Sequence, residues 1–483
     1  MDKNTLFIVS DQFAKHALAC YGNENTNTPN ITQIANEGVV FSNAICNSPL
    51  CCPSRASLAT GHYVHKIKNW DNSLPYSGSV KSWMHLLKES SIDIGAIGKL
   101  HFRSTEDDNG FSEEINVMHT VEGFGDVAGC LREECGLFDK RKGVIEAGPG
   151  QSSYTKYDSE NAQLCIDWIE NKNKAKTEKP WVLFWGIALP HPPNKIMEKY
   201  YNYYKSMDLK LPPLWEEKEW NNHPATNYIR KFFNFEEQVS KSEINNFLAA
   251  YYGACSYVDH LIGLVINKLK VSGQYENTRI VFTADHGETM GNRGIFGKFS
   301  LYEESIGVPL IIKSSDIPKN TTISTPVSLI DIFPTMCSWY DLDWNENLPG
   351  ESLETFMHNS DLQENRIVFS EYHGVGTKNA MFCLKSKDFK YIYHVGLPAE
   401  LYNLIEDPNE KINLINMKDY SKTKEELHAK LLEIIGNPEK IDVEAKKDQK
   451  KRVDEAGGYK VVLARGTFDN TPPPGEEAIF FKR

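Results

Sequence analysis

The chain has 483 residues, of which 40% are hydrophobic and 24% charged, a composition that is ordinary for a globular protein with a large core. Its formal net charge of −12 leads us to expect no nucleic-acid partner and no long polyanion lying across a broad basic groove. No stretch is apolar over the length needed to cross a bilayer, so we expect no membrane partner, and the ten cysteines are too scattered for a disulfide framework.

The chain begins with a short apolar run, residues 5–10, which is too short for the core of a secretion signal and is typical of a strand. We therefore predict a cytoplasmic protein, or a periplasmic one if a leader has been removed. Three further apolar runs, at 92–97, 181–185 and 279–283, also predict strands buried on both faces of a parallel sheet. Helical patterns such as 244–268 lie between them, so the predicted fold class is α/β.

Each of the four predicted strands is followed closely by polar residues that can carry chemistry. Because the carboxyl ends of parallel strands meet at one edge of a sheet, these residues should converge on a single crevice. In chain order they are Asp11 and Gln12, Lys99 and His101, His191, and Asp285 and His286.

Between the first two of these strands, residues 48–61 combine two adjacent cysteines with a short predicted helix. Pro53 suits the first turn of that helix, and Gly61 suits the left-handed position just past its end. Cys51 would then lie where free backbone N–H groups and the positive end of the helix dipole can hold an anion, with Arg55 one turn further along. Taken alone, the two cysteines could equally be a buried thiol pair or a vicinal redox pair.

The sequence pattern changes after about residue 360. Short apolar runs followed by an amphipathic helical pattern predict a small α+β subdomain there. We therefore divide the chain into a catalytic domain (1–360), a C-terminal α+β subdomain (361–438), and a charged, solvated helix with an extended tail (439–483).

The order Cys51-x-Pro53-Ser54-Arg55, with Thr-Gly five residues further on, resembles the signature of the type I sulfatases. The resemblance implies an alkaline phosphatase-like fold, in which helices sandwich a mixed, mostly parallel sheet and the C-terminal subdomain holds a four-stranded antiparallel sheet. It also implies that Cys51, not Cys52, is oxidised to formylglycine by a formylglycine-generating enzyme or an anaerobic maturase. The hydrate of that aldehyde would be the nucleophile, because its second hydroxyl allows sulfate to be expelled afterwards.

Asp11, Asp285 and His286, with the amide oxygen of Gln12, make a set of mostly oxygen ligands for a divalent cation. Taken alone, such residues are as often structural as metal-binding. The resemblance implies that they are metal ligands together with Cys51. Many relatives have Asp where Gln12 stands and Asn where His286 stands, so this set resembles the choline sulfatase and phosphonate monoester hydrolase branches. We expect Ca²⁺, while the imidazole would also suit Mn²⁺ or Zn²⁺.

The remaining candidate residues are cations, histidines and one amide that would surround the sulfate ester. The resemblance implies that the cations clamp the sulfuryl group and that one of the two histidines gives a proton to the leaving alkoxide; both roles are physically reasonable. The amide is a weaker candidate for contact with the sulfate. These residues are Arg55, Lys99 and Lys298, His101 and His191, and Asn72.

The predicted activity is hydrolysis of a small sulfated alcohol or a sulfated carbohydrate. Choline-O-sulfate is one alternative, and a phosphonate or phosphate monoester is another. Phosphonate monoester hydrolases typically lack the pair that Lys99 and His101 supply, which favours sulfate esters. Two long irregular segments, 117–152 and 195–243, are expected to cover the cleft and to set substrate choice.

Two further alternatives concern the class of protein and its assembly. A non-catalytic or phosphate-transferring relative of the same fold would usually carry Ser or Thr as its nucleophile and bind two metals, whereas this chain has Cys51 and one set of metal ligands. In sulfatases of this branch the C-terminal tail often reaches a neighbouring subunit. The charged helix and tail after residue 438 therefore support a homo-oligomer.

Overall fold

The structure is a computed structural model, and it describes residues 3–133, 138–175, 179–344, 347–358 and 365–481. Most of its strands belong to one eight-stranded sheet and one four-stranded sheet. The strands are β1 (Asn4–Asp11), β2 (Val39–Phe41), β3 (Ala44–Ile45), β4 (Asp93–Lys99), β5 (Glu113–Met118), β6 (Gly148–Pro149), β7 (Trp181–Pro190), β8 (Lys195–Ile196), β9 (Thr278–Ala284), β10 (Leu310–Lys313), β11 (Thr321–Ile323), β12 (Val327–Ser328), β13 (Val368–Tyr372), β14 (Met381–Lys385), β15 (Phe389–His394) and β16 (Glu400–Asn403).

Helices connect most of these strands, and their lengths range from a single turn to 31 residues. They are α1 (Pro29–Asn36), α2 (Cys51–Thr60), α3 (Val64–Ile67), α4 (Trp83–Glu89), α5 (Arg141–Ile145), α6 (Ser153–Ala175), α7 (Glu198–Lys205), α8 (Pro224–Phe232), α9 (Lys241–Val271), α10 (Glu303–Ile306), α11 (Ile332–Trp339), α12 (Glu354–His358), α13 (Ser421–Ile435), α14 (Pro438–Glu455) and α15 (Tyr459–Arg465).

The large sheet has the strand order β11-β2-β10-β9-β1-β7-β4-β5. Four adjacent inner strands, β9, β1, β7 and β4, are the four predicted from apolar runs, and they pair in parallel with one another. Strand β10 alone runs antiparallel within this sheet. The residues of β1, β7 and β9 are all buried, as expected for strands covered on both faces. The predicted mixed, mostly parallel sheet is confirmed.

Two groups of helices cover this sheet. In one group α1 and α6 pack against α9 and all three pack against the sheet, while α2, α4 and α11 form the other. The long helix α9 begins at a capping box in which Ser240 and Glu243 satisfy each other's backbone N–H groups. Of the helices in the described ranges, none is both long and apolar enough to cross a bilayer.

The C-terminal sheet has the order β13-β14-β15-β16 and is antiparallel throughout, which confirms the predicted four-stranded sheet. The proposed domain boundary at 360/361 lies outside the described residues.

The region after residue 438 differs from the prediction of a solvated helix and an extended tail. One face of α14 is buried, because Ile441 and Ala445 join the apolar core of the C-terminal sheet and Val453 packs on a small cluster with Val127 and Val462. The many charged residues of this segment obscure its apolar face in the sequence pattern. The tail also contains a helix, α15.

The segment 195–243, predicted as irregular, contains α7 and α8. Both are short helices with one buried face, and their aromatic side chains obscure the helical pattern. The segment 117–152 is mostly loop, with the single-turn helix α5 near its end.

Candidate active site

The predicted site residues do converge at the carboxyl edge of the large sheet. Asp11 is the last residue of β1 and Lys99 the last of β4, while Asp285 and His286 directly follow β9. Each of these four side chains is at most 1% exposed. Parallel pairing of adjacent strands brings residues that are hundreds of positions apart into hydrogen-bond distance.

Cys51 is the first residue of α2, and Gly61 ends that helix in the left-handed conformation (φ 69°), both as predicted. Fewer backbone N–H groups are free at the start of α2 than the sequence predicts. The N–H of Cys52 donates to Asn72 Oδ1 (3.0 Å), and Pro53 has no N–H. The first turn therefore offers an anion the N–H of Cys51 and the helix dipole.

The thiol of Cys51 is 1% exposed and lies among charged and basic groups. Its Sγ is 3.2 Å from His286 Nε2, 3.4 Å from Lys298 Nζ and 3.7 Å from Asp11 Oδ1. Burial, followed by the nearby carboxylate of Asp11, raises the pKa of the Cys51 thiol to about 11. The unmodified side chain is therefore a neutral thiol near pH 7 and a poor nucleophile.

The two aspartates are held from behind by cations. Arg55 Nε donates to Asp285 Oδ2 (2.8 Å), and its NH2 group donates to Asp11 Oδ2 (3.2 Å). Lys99 Nζ lies 2.7 Å from the same Asp11 oxygen. Burial alone would raise the pKa of Asp11, but Lys99 and Arg55 help to hold it well below its usual range. The Oδ2 atom of each aspartate is therefore already bonded to a cationic side chain.

This arrangement corrects the expected role of Arg55. We expected its guanidinium to clamp the sulfuryl group, yet its third bond goes to the backbone oxygen of Lys99 (2.8 Å). Arg55 also lines neither of the two cavities described below. Its geometry is that of a residue that positions the carboxylates.

Four potential ligand atoms from Asp11, Cys51, Asp285 and His286 lie within 4.8 Å of one another. His286 Nδ1 donates to the Gly287 oxygen (3.0 Å), which leaves a lone pair on Nε2, and burial lowers the pKa of His286 to about 4. Nε2 is 3.6 Å from Asp285 Oδ1 and 3.9 Å from Asp11 Oδ1. Ligands around one cation, at bonds of about 2.0–2.6 Å, are separated by roughly such distances. The donor set thus fits a single divalent cation.

Gln12 lies beside this set, in a left-handed backbone conformation (φ 62°) that is costly for a residue with a side chain. Its Oε1 accepts from Lys298 Nζ (2.7 Å), and its Nε2 donates to Glu288. Gln12 is therefore a predicted metal ligand whose side chain is hydrogen-bonded to Lys298, the second predicted lysine. Glu288 was not among the predicted site residues, although it lies only two residues after His286.

Two adjoining cavities lie at the site, and Cys51 lines the inner one. The inner one is small, about 90 Å³, and contains the side chains expected to meet the sulfate. The outer cleft is about 460 Å³, and the two share the walls formed by His191, Lys298 and Phe299. The predicted residues that line the inner cavity are Cys51, Asn72, Lys99, His101, His191 and Lys298.

The two candidate acid–base histidines differ in where their protons lie. His191 Nδ1 is 2.8 Å from the Pro192 oxygen, which can only accept, so Nδ1 carries the proton. His101 Nε2 lies 3.0 Å from the hydroxyl of Thr471, while its Nδ1 has no partner among the described residues. An orphaned N–H is rarer in protein interiors than an unsatisfied acceptor, which favours the proton on Nε2 of His101. Burial lowers the pKa of both histidines well below the usual value.

Two residues near these histidines were missed. Thr471 comes from the C-terminal tail, and Tyr154 from α6 donates to the backbone oxygen of Thr471 (2.7 Å). No local pattern in the sequence points to either residue, because both reach the site through contacts between distant parts of the chain.

The fold combines a mixed, mostly parallel sheet with a helix whose first residue, Cys51, lies beside a cluster of potential metal ligands. A model of the sulfatase family matches residues 3–342, and the chain belongs to this family. A second model, of the C-terminal region of N-sulphoglucosamine sulphohydrolase, matches residues 291–437. The protein is therefore a sulfatase, an enzyme that hydrolyses sulfate esters.

Curated relatives of the chain are arylsulfatases, and solved structures share its fold. The chain is 28% identical to arylsulfatase K of Bos taurus over 462 residues, which covers 90% of this chain and 82% of that protein. It is 29% identical to arylsulfatase K of Gallus gallus over 438 residues, covering 85% and 78%. The phosphonate monoester hydrolase of Agrobacterium radiobacter has a similar fold (TM-score 0.73, 23% identity, 89% and 95% covered). So does BT4656, solved with D-glucosamine-2-N,6-O-disulfate (TM-score 0.71, 20% identity, 94% and 99% covered).

Proposed function

We propose that this sulfatase uses a formylglycine formed from Cys51 and that its substrate is a small sulfated alcohol or a sulfated carbohydrate. The observation that carries the proposal is the place of Cys51, the first residue of α2, between Lys298 and the potential metal ligands. Its neutral thiol would be a poor nucleophile near pH 7, whereas a hydrated aldehyde would supply two hydroxyls, one to attack sulfur and one to allow release of sulfate.

The chain's own lysines would hold the sulfuryl group. Lys99 and Lys298 both line the inner cavity, and Lys298 Nζ is within 3.4 Å of Cys51 Sγ. Charge spreads over the sulfuryl oxygens during transfer, so two fixed cations in a cavity of about 90 Å³ would stabilise the transition state. Because both ammonium groups are already hydrogen-bonded, to Asp11 and Gln12, little reorganisation is needed.

Either His101 or His191 would protonate the leaving oxygen. The neutral ring of His101 carries its proton on Nε2, which is engaged by the hydroxyl of Thr471, so His101 would first need a second proton at Nδ1. The neutral ring of His191 carries its proton on Nδ1, which is engaged by Pro192, so His191 would first need a second proton at Nε2. We propose that the ring that takes up this second proton gives it to the leaving oxygen and that the other ring contacts the substrate.

Asp11, Gln12, Asp285 and His286, with the residue at position 51, would hold one divalent cation. We propose Ca²⁺ because most of these ligands are oxygens, with Mn²⁺ as the alternative that the imidazole allows. When bound, the cation would supply positive charge next to the nucleophile.

The lining of the outer cleft favours a substrate whose alcohol part is polar and ring-shaped. Its walls combine the faces of Phe235, Phe247 and Phe296 with charged groups such as Lys142 and Asp469. Its volume of about 460 Å³ lies within the range of small-molecule sites. The partners in this proposal are a sulfate ester, a maturation enzyme and a second copy of the chain. The proposed compartment is the cytoplasm, or the periplasm after removal of a leader.

The first test is sulfate release by the matured enzyme from choline-O-sulfate and from a panel of sulfated mono- and disaccharides, with phosphonate and phosphate monoesters for comparison. We expect a sulfated saccharide to give the highest kcat/KM. A preference for choline-O-sulfate would replace the saccharide with a quaternary ammonium alcohol, and a preference for phosphonates would overturn the substrate class.

Cys51→Ser tests the nucleophile. Serine has one hydroxyl and cannot expel sulfate after transfer, so we expect turnover to be abolished. Detection of the aldehyde at residue 51 by mass spectrometry provides the matching measurement on the wild type. A Cys51→Ser variant with the kcat of the wild type would overturn the formylglycine proposal.

A further inference from the structure

The side chain of Gln12 ends in an amide whose two ends differ in chemistry. The oxygen accepts hydrogen bonds and can bind a cation, whereas the nitrogen can only donate. The backbone of Gln12 is fixed on both sides, because its N–H donates to Asp285 Oδ1 (3.0 Å) and its oxygen accepts from the hydroxyl of Tyr251 (2.7 Å). These contacts place the side chain at the site, but they do not determine which end of the amide faces the potential metal ligands.

Glu288 bonds to the nitrogen end of this amide. Its side chain is buried, and its Oε2 accepts from Nε2 of Gln12. Its Oε1 accepts from the backbone N–H groups of Met290 (2.9 Å) and Gly297 (2.6 Å). In the described ranges, the hydrogen bonds of the Glu288 side chain therefore all come from N–H groups, and the carboxylate acts only as an acceptor.

Lys298 bonds to the oxygen end of the amide. Its ammonium can only donate, and Nζ donates to Gln12 Oε1 (2.7 Å) and to Cys51 Sγ (3.4 Å). Gly297, whose N–H donates to Glu288, directly precedes Lys298 in the chain. With an acceptor at one end and a donor at the other, only one orientation of the amide satisfies both neighbours.

We propose that Glu288 is a positioning residue, which holds the amide of Gln12 so that its oxygen faces Lys298 and the cation site. This inference rests on the proposed cation site, in which Gln12 is a ligand. A carbonyl oxygen has two lone pairs, so Oε1 can accept from Lys298 and bind a cation as well. With the amide reversed, its NH2 group would face an ammonium and a cation, and the site would lose one oxygen ligand.

Glu288→Gln tests the proposal because it should reverse the amide of Gln12. The two backbone N–H groups would keep an oxygen at the position of Oε1, so the new NH2 group would lie toward Gln12. Two NH2 groups cannot bond to each other, so Gln12 would turn its oxygen toward residue 288. We expect the affinity for Ca²⁺ to fall at least about tenfold, measured by calorimetric titration of the cation-free protein. Glu106→Gln, at an exposed position, is the control and should bind Ca²⁺ as the wild type does.

Exchange of the two side chains distinguishes orientation from a purely structural role of Glu288. In the double variant Gln12→Glu with Glu288→Gln, the amide at position 288 can donate to the carboxylate at position 12, whose other oxygen faces Lys298. The pair keeps its net charge and its hydrogen bonds, so this variant remains a test even if Glu288→Gln alone does not fold. We expect a Ca²⁺ affinity within about threefold of the wild type.

A second background measures the effect of removing the charge of Glu288. Gln12→Met has no amide to orient, so adding Glu288→Gln to it removes the charge alone. We expect this step to weaken Ca²⁺ binding by less than about threefold, against at least about tenfold when Gln12 is present. The same factor in both backgrounds would overturn the inference.

The remaining outcomes separate this inference from the proposed function. Unchanged Ca²⁺ affinity in Glu288→Gln, or a loss that the exchange does not restore, would overturn the inference alone. A wild type that binds neither Ca²⁺ nor, in a separate titration, Mn²⁺ would overturn the proposed cation site and this inference with it.

Discussion

Arg55 belongs to the same sequence motif as Cys51, yet its side chain supports carboxylates and does not line a cavity. The guanidinium bridges Asp11, Asp285 and the backbone of Lys99, and it lines neither cavity. The planar guanidinium can donate to these three acceptors at once, whereas an ammonium is a compact point charge. Arg55 thus lies behind the carboxylates, whereas Lys298 lies beside the thiol of Cys51 and Lys99 reaches both Asp11 and the inner cavity.

Arg55→Lys tests this interpretation. The charge is kept, but a single ammonium nitrogen cannot reach all three acceptors that the spread Nε, NH1 and NH2 groups reach, so two buried carboxylates lose part of their support. We expect kcat/KM to fall at least about a hundredfold and the free energy of unfolding to fall by about 2–4 kcal/mol. Enzyme assays and denaturant unfolding measure the two effects. A loss confined to KM would instead indicate direct contact between Arg55 and the substrate.

Cys52→Ala should be mild by comparison. The Cys52 thiol contacts the His101 oxygen (3.3 Å) and lies in the interior, so its removal leaves a small void that costs about 1–2 kcal/mol of stability. We expect kcat within about threefold of the wild type. Complete loss of activity with an intact fold would mean that the modified cysteine was wrongly chosen.

Removal of the cation is the third test at this scale. Chelation should abolish activity and lower Tm, because ligands that are all buried would lose a shared positive charge. Ca²⁺ is expected to restore both properties at a lower concentration than Mn²⁺. Restoration by Mn²⁺ alone would show that His286 determines the metal, and unchanged activity after complete chelation would contradict a cation site.

At the scale of elements, α10 links the two sheets although it is only four residues long. Its first residue, Glu303, contacts Lys385 on β14 (2.7 Å), Lys390 on β15 (3.0 Å) and Lys15. Burial alone would raise the pKa of Glu303, but these lysines hold it well below the usual range. The ionised carboxylate is therefore a favourable contact between the catalytic sheet and the C-terminal sheet.

Glu303→Gln should cost about 3–5 kcal/mol of unfolding free energy near pH 7, because the buried Lys15 and Lys385 lose their counter-charge and Lys390 keeps only Glu410 (2.7 Å). A carboxyl with a lowered folded pKa stabilises above its unfolded pKa of about 4.3, and this contribution disappears as the pH falls through the folded pKa. The gap between wild type and variant should therefore shrink below about pH 4 in denaturant unfolding. Glu425→Gln, at an exposed site on α13, is the control; a gap independent of pH would contradict the ionic role.

Parts of the fold could be predicted because they depend on local patterns. The four central strands are continuous apolar runs, and the first turn and end of α2 are marked by Pro53 and Gly61. The face of α14 could not be predicted, since Asp442 and Gln449 are polar yet buried through bonds to Ala380 and Asp71. Such partners lie far away in the sequence, and no periodicity reveals them.

The same reasoning applies to the site. The ligands and cations that follow strands were predictable because strand ends converge, and the family signature marks Cys51. The contact of Thr471 with His101 spans 370 positions and has no local signal.

At the scale of the whole molecule, the predicted homo-oligomer remains a prediction. It rested on a tail that reaches a neighbouring subunit, whereas residues 467–471 here lie against their own chain's site. Truncation after Gly466 distinguishes a tail that completes the site of its own chain from a tail that binds a neighbouring subunit. We expect it to reduce activity on saccharide sulfates more than about tenfold, measured with full-length protein as the control. If light scattering shows an unchanged solution mass, the tail does not hold an oligomer together.

The contact of residues 467–471 with the site also bears on the order of events during synthesis. Cys51 is 1% exposed in the folded chain, so an enzyme that oxidises it would need access before folding is complete. About 400 residues separate Cys51 from residue 467, and at about 5–20 residues per second a ribosome takes roughly 20–80 seconds to make them. Residues 467–471 thus reach the inner cavity long after Cys51 has been made. The proposed oxidation of Cys51 would fall within that interval.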